Sequence, residues 1–186
     1  DRPIINNKDY SVKYVDFTDR EDLAMRLSNE SAVAIANLVE VDIVWNADRL
    51  EEALGEHQPV DFVLASHVFE HLPNPLGWLE TVRPILSNKG RISLAIPDKR
   101  FTFDCERPET RVSEWVAAKL ENRSIPPIHL ALEAVMYFSP IDSSQVWQLN
   151  AARRKLLAPT EFERYLDLAK GVLSNGTYHD VHCSIF

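Results

Sequence analysis

The segment from Asp61 to Pro75 has the clearest hydrophobic pattern in the chain. Its four consecutive apolar residues, 62–65, predict a short strand that is buried on both faces, because a half-exposed strand would alternate with polar residues. The strand ends at Ser66 and His67, where polar side chains follow. Ligands bind at this carboxyl edge in open α/β sheets, since the strands end there and the loops diverge to leave a crevice.

The apolar positions that follow recur with helical spacing. They predict a helix over 76–86, which a lysine in the last turn and a glycine cap at Gly90 would close. Residues 91–96 predict a second strand, which Pro97 ends. A strand, a helix and a strand in this order form a crossover unit, in which the connection is right-handed and the strands are parallel.

The remaining chain predicts further elements of both kinds. Strands are predicted at 12–16 and 41–45, while 31–40 fits either a helix or a buried loop. Thr18 and Glu21 have capping-box spacing, which predicts a helix that begins near Asp19. Other helices are predicted over 49–54, 109–120 and 128–138, and from a second capping box at Thr160 and Glu163 towards Gly171.

The composition narrows the class of function. The 186 residues suffice for one domain with a real core, and the formal charge of −8 argues against a general binder of nucleic acid or anionic membranes. Cys105 and Cys183 lie far apart without metal-type spacing, so we expect reduced thiols in a cytoplasmic protein. No apolar run approaches the length that spans a membrane.

Polar residues end three of the predicted strands and would meet at one edge of the sheet. Together with the phrases 67–75 and 83–98, this arrangement resembles class I S-adenosylmethionine-dependent methyltransferases. More narrowly, it resembles the methyltransferase-type-11 group that is often found with glycan-synthesis enzymes. The resemblance implies an α/β fold with a doubly wound, mostly parallel sheet. It also implies one domain over 1–186, with 105–160 as a helical insertion over the substrate site.

The resemblance assigns the cofactor, S-adenosylmethionine, to the ends of these strands. Asp16 matches the acid that accepts hydrogen bonds from both ribose hydroxyls, and one carboxylate can do this chemically. Asn46 and Ala47 match the pair beside the adenine, where related proteins often carry an aspartate. Ser66 and His67 match the residues that flank the methionine part and the sulfonium.

The acceptor would be a small molecule or a sugar, methylated on oxygen or nitrogen. Asp98, Lys99 and Arg100 follow the second strand of the crossover unit and would border it, although a solvated charged loop has the same composition. His67 or His182 would take the acceptor's proton, and no metal is required. A histidine satisfied by a backbone carbonyl is an equally good interpretation of His67.

The glycine-rich loop that follows the first strand of such methyltransferases has no counterpart in this sequence. Residues 1–4 resemble the stretch just after that loop, so we expect the sheet to be incomplete at both ends. An open apolar edge would leave the isolated chain poorly stable, or paired with a second copy or a larger parent protein. A non-catalytic, methyltransferase-like scaffold domain is therefore the alternative function, and the asparagine at position 46 also favours it.

His67, Glu70 and His71 match the H-x-x-E-H pattern of inverted zinc peptidases. That chemistry needs both histidines on one face of a regular helix. His67 directly follows a buried strand, and Pro73 ends the segment two residues after His71. We therefore expect no zinc, and we interpret Glu70 and His71 as residues that fix the turn through local hydrogen bonds.

Overall fold

Strands and helices alternate along the first half of the chain and helices follow. The computed structural model describes residues 10–29, 35–45, 49–138, 162–174 and 181–186. Within them lie strands β1 (Val15–Asp16), β2 (Ile43–Val44), β3 (Val60–Ser66) and β4 (Leu86–Ala95). The helices are α1 (Arg20–Arg26), α2 (Leu50–Leu54), α3 (Pro75–Val82), α4 (Val112–Leu120), α5 (Ile128–Met136) and α6 (Phe162–Ser174).

The strands form two parallel pairs. β1 pairs with β2, and β3 pairs with β4 across the intervening α3, which confirms the predicted strand–helix–strand unit and its parallel pairing. In the described residues the two pairs are not hydrogen-bonded to each other. The fold is thus mixed α/β with short parallel strand pairs, and the expected continuous doubly wound sheet is met only in part.

The predicted boundary between α3 and β4 was wrong. α3 ends at Val82, a single 3₁₀ turn spans Arg83–Ile85, and β4 begins at Leu86. Pro84 ends the helical pattern, because a proline has no N–H to donate and its ring clashes with the preceding turn.

Gly90 lies inside β4 and does not cap a helix. Around it the pairing with β3 shifts, from Val60 opposite Leu86 to Phe62 opposite Arg91. A Cβ atom at position 90 would come within 2.9 Å of the Leu86 side chain. The glycine therefore permits the chain to fold back closely on itself at this irregularity.

Two other helix ends differ from the prediction. The N-cap of α1 is Asp19, whose side chain accepts from the backbone N–H of Asp22 at 2.9 Å, while the Thr18 hydroxyl donates to the Asp22 carboxylate. α6 continues through Gly171 to Ser174, so this glycine does not end it. Thr160, the predicted cap of α6, lies outside the described residues.

One hydrophobic core joins the two strand pairs through the helices. Its buried residues come from β2, α2, α3 and the turn that follows α3: Ile43, Leu50, Leu54, Val82 and Ile85. Trp45 and residues of α3, β3 and β4, including Trp78, Val63 and Ile92, pack against this cluster. None of the described helices is both long and apolar enough to cross a membrane.

β3 is buried on one face, not on both as its apolar run predicts. Val63 packs against the core and Ala65 is buried, whereas Phe62 is 52% exposed and Leu64 is 37% exposed on the opposite face. Successive side chains of a strand point to opposite faces, so covering one face says nothing about the other. An apolar sequence alone cannot show whether a strand is buried on one face or on both.

Residues 181–185 are buried, and Phe186 is partly buried. The backbone N–H groups of Cys183 and Ser184 both donate to the carbonyl of Glu70, at 2.6 and 3.0 Å. Farther along, the Lys99 N–H donates to the carbonyl of Phe186 at 2.8 Å. This C-terminal segment, residues 181–186, therefore lies between the turn after β3 and the loop after β4.

We expect the buried core and the exposed face of β3 to respond differently to substitution. Val82→Ala should lower the free energy of unfolding by about 2 kcal/mol, since it leaves a cavity in the buried cluster. Phe62→Ser should cost about 1 kcal/mol or less, because about half of this residue is already exposed to water. Urea denaturation measures both values. A larger cost for Phe62→Ser than for Val82→Ala would show that the open face is covered in the protein.

Candidate functional site

Asp16 ends β1 at the carboxyl edge of the first strand pair. Its Oδ1 accepts from the Phe17 N–H at 2.7 Å, and its carbonyl accepts from the Trp45 N–H at 2.7 Å. Partial burial raises the pKa of the Asp16 carboxyl, against the opposing effect of the Phe17 and Thr18 N–H groups. Because the Trp45 N–H donates to the Asp16 carbonyl, the end of β2 lies beside this acid. Asn46 and Ala47, which come directly after Trp45, lie outside the described residues.

His67 follows the last residue of β3, Ser66, in a strained backbone conformation. Its N–H extends the pairing with β4 by donating to the Ala95 carbonyl at 2.9 Å, but its φ is +53°. Few non-glycine residues adopt this left-handed region, and such strain concentrates at functional sites. The side chain is 66% exposed, and its Nδ1 lies 3.3 Å from Oε1 of Glu70.

Glu70 is fully buried in the 3₁₀ turn Phe69–His71. Within the described structure, neither oxygen of its carboxylate has a hydrogen-bond partner. The Nε2 atom of a second histidine, His71, lies 4.0 Å from the same Glu70 oxygen, Oε1. The local side-chain hydrogen bonds predicted for Glu70 are thus absent. Its backbone carbonyl makes the structural contacts instead, with Cys183 and Ser184.

His182 reaches the same turn from the C-terminal segment. Its Nδ1 lies 2.5 Å from Oδ2 of Asp104, and its ring meets the ring of His71 edge-on with centroids 4.6 Å apart. Phe103 covers another side of the imidazole at 5.0 Å between centroids. The acid that orients His182 is therefore Asp104.

A buried ion pair holds Asp104 in place. Arg107 contacts Oδ1 of Asp104 at 3.0 Å and donates to the carbonyl of His182 at 2.9 Å, and a second guanidinium nitrogen lies 3.6 Å from Glu133. Burial raises the pKa of Asp104, but the hydrogen bond from His182 and the charge of Arg107 outweigh it, so the pKa is lowered overall. The carboxylate therefore stays ionised beside His182.

The residues predicted to border the acceptor are mostly engaged with the protein itself. Asp98 forms a two-pronged ion pair with Arg100, which lowers the pKa of Asp98 to about 2. Arg100 remains 74% exposed. The Lys99 ammonium donates to the backbone carbonyl of Arg107 at 2.5 Å. Of this set, Arg100 is the side chain with most access to solvent.

The structure separates the predicted residues into two groups and adds four others. Asp16 ends one strand pair, whereas His67 and His182 approach a common centre after β3. Sequence reasoning did not recognise that Glu70, His71, Asp104 and Arg107 belong to this centre. The H-x-x-E-H pattern was the available signal, but its interpretation assumed two histidines on one helix. The actual partner, His182, comes from the other end of the chain.

One of the three comparisons with known proteins identifies a family. A family model described as "Methyltransferase domain" matches residues 13–167, which is most of the chain. Searches of the curated proteins and of the solved structures returned no significant match.

The Asp104 carboxylate should contribute to stability in a pH-dependent way. Asp104→Asn removes the charge facing Arg107 and should lower the free energy of unfolding by about 3 kcal/mol at neutral pH. Because the folded pKa is lowered, this contribution is complete above the unfolded value of about 3.9 and is lost as pH falls through the folded value. Urea denaturation from pH 7 to pH 3 should show the difference from wild type shrinking in acid.

Asp167→Asn is the matched control for this measurement. Asp167 is 76% exposed and lies 3.6 Å from Lys170, so the substitution should cost at most about 1 kcal/mol. Equal costs for the two substitutions would contradict a structural role for the buried pair.

Proposed function

The chain belongs to the methyltransferase domain family, and from this membership we propose that it transfers a methyl group from S-adenosylmethionine to an acceptor. The methyl acceptor in this proposal is an oxygen or nitrogen atom of a small molecule or of a glycan-related molecule. The family normally uses this cofactor. The observation that carries the proposal concerns the residues at two strand ends. Asp16 is a partly buried acid at the end of β1, and His67 is a strained, exposed histidine after β3.

The chemistry of Asp16 fits the ribose of the cofactor. The Phe17 N–H holds Oδ1 and so fixes the direction of the carboxylate, which has lone pairs left to accept from two vicinal hydroxyls. Asn46 and Ala47 would lie along the adenine, and Ser66 would border the methionine part. When bound, S-adenosylmethionine supplies a methyl group on a sulfonium leaving group, so the protein's main task is alignment.

His67 is the better placed of the two predicted proton acceptors. Its Nδ1 lies 3.3 Å from the Glu70 carboxylate, whose negative charge would stabilise the positive charge that the ring gains when it takes the acceptor's proton. Its ring is exposed at the carboxyl end of β3. His182 is oriented by Asp104 in a similar way, but it is almost fully buried and therefore less accessible to an acceptor. We assign the acceptor's proton to His67.

The acceptor would lie against the loop after β4. Arg100 presents a largely exposed guanidinium there, and Asp98 holds its orientation. α4 and α5 fall within 105–160, the region proposed as an insertion over this site. These positions suit an acceptor that carries hydroxyl or anionic groups, as sugars and sugar phosphates do.

A non-catalytic scaffold domain is the second candidate function. Among the described residues the two strand pairs share no hydrogen bonds, which favours it, because a cofactor that spans the edge of one sheet needs both pairs held together. Cofactor binding distinguishes the two functions directly, since a scaffold requires none.

Asp16→Asn should weaken S-adenosylhomocysteine binding by roughly 3 kcal/mol, because two charge-assisted hydrogen bonds to the ribose are lost. Isothermal titration calorimetry measures the affinity. Asp19→Asn is the control: this residue is exposed, and asparagine caps a helix as well as aspartate does. Unchanged affinity in Asp16→Asn would remove Asp16 from the cofactor site, and no binding by wild type would favour the scaffold.

His67→Gln should lower kcat by roughly 10²- to 10⁴-fold, the usual contribution of a general base, with little change in cofactor affinity. Steady-state methyl transfer to a panel of sugar acceptors provides the assay. His57→Gln, at an exposed turn after α2, should behave as wild type. A kcat that falls only in His182→Gln would transfer the role of base to the buried histidine.

A further inference from the structure

A cluster of three potential metal ligands lies where the C-terminal segment meets the turn after β3. Ligand atoms from Glu70, His71 and His182 all lie within 4.8 Å of one another. Two of these residues are adjacent in the chain, and the third arrives from the opposite end of the sequence. Such a convergence requires the folded protein and is not a local pattern.

The Glu70 carboxylate is the observation that points to a ligand. It is fully buried, and neither of its oxygens has a hydrogen-bond partner among the described residues. A buried carboxylate without hydrogen bonds is strongly unfavourable unless a positive charge compensates it. The imidazoles around it supply that charge only if one of them is protonated, whereas a cation held between them supplies it directly.

His182 is presented as a metal ligand normally is. Asp104 lies 2.5 Å from its Nδ1, so Nε2 is the nitrogen available to an ion. A carboxylate behind a ligating histidine fixes the tautomer and the ring direction, and it raises the basicity of the ligand. Arg107 holds that carboxylate from the other side at 3.0 Å. The supporting contacts of a metal site are therefore present.

We propose that Glu70, His71 and His182 bind one divalent ion of the zinc class. Two imidazole nitrogens and one carboxylate oxygen suit zinc and related transition metals, whereas calcium and magnesium prefer oxygen ligands throughout. A tetrahedral ion with bonds of about 2.0 Å holds its ligand atoms about 3.3 Å apart, so binding draws the three side chains slightly inward. The fourth coordination position is left for water.

The sequence predicts no metal at this turn, whereas the proposed site holds one ion. His67 is not a ligand in it, and the H-x-x-E-H pattern contributes only its last two residues. The ion ties the C-terminal segment to the Phe69–His71 turn, which backbone hydrogen bonds already join. One carboxylate has lone pairs for both His67 and an ion, so metal binding neither requires nor excludes the proposed methyl transfer.

Elemental analysis and zinc titration of the full chain test the proposal. After removal of metal with EDTA and dialysis, we expect wild type to take up one zinc ion per chain in calorimetry and to gain in Tm. His71→Ala and His182→Ala should each weaken zinc binding roughly 100-fold or more, and Asp104→Asn should weaken it about 10- to 100-fold. These readouts need no substrate and no S-adenosylmethionine.

Matched histidine variants separate this site from other arrangements. His67→Ala should retain the zinc, and so should His129→Ala, on the exposed side of α5. Loss of zinc in His67→Ala would indicate the peptidase pattern and overturn the proposal. Failure of metal-free wild type to bind zinc would do the same. Because wild type alone decides this point, a variant that fails to fold does not leave the question open.

Discussion

The buried guanidinium of Arg107 is the contact on which the arrangement of the site depends. It joins the Asp104 carboxylate, the carbonyl of His182 and the carboxylate of Glu133, and its own side chain is fully removed from water. Desolvating an arginine is costly, so the fold tolerates it only because these partners are held in place. The same contacts fix the direction of the His182 ring. Stability and the geometry of the site therefore have a common origin in this network.

The C-terminal segment is the second structural element of the site. The N–H groups of Cys183 and Ser184 share the Glu70 carbonyl, and Phe186 packs against Phe69 and Trp115 with ring centroids about 6 Å apart. Burial raises the pKa of the Cys183 thiol to about 12, so this sulfur stays protonated and donates to the His71 carbonyl. The segment thus supplies an oriented imidazole, while its cysteine has a structural role.

The two strand pairs divide the proposed chemistry between them. Asp16 ends the first pair, and His67 with its buried carboxylate follows the second. Methyl transfer requires a cofactor that reaches from one to the other. The hydrophobic core of β2, α2 and α3 connects the pairs through side chains, although no strand hydrogen bonds do so in the described residues. The backbone of His67 is strained, so the conformation at the end of β3 is not determined by strand pairing alone.

Local signals in the sequence determined the elements near the centre of the chain. The apolar run of β3, the spacing of α3 and the turn residues between them are short-range features, and the parallel unit that they predict is confirmed. The same kind of reasoning failed where two local rules compete, as at Pro84, which ends the helix before the apolar pattern does. It also failed at β3, since apolar residues do not reveal which face receives a partner.

The site itself was decided by tertiary structure. The sequence indicated His67 and His182 as functional, but Glu70 and His71 were interpreted as turn residues. A charged residue is normally exposed, so nothing in the sequence marks Glu70, Asp104 or Arg107 as buried. Their burial results from contacts between segments that lie far apart along the chain. Only the folded chain brings the turn after β3, the loop after β4 and residues 181–186 into one small volume, and there the low dielectric gives their charges a strength that they lack in water.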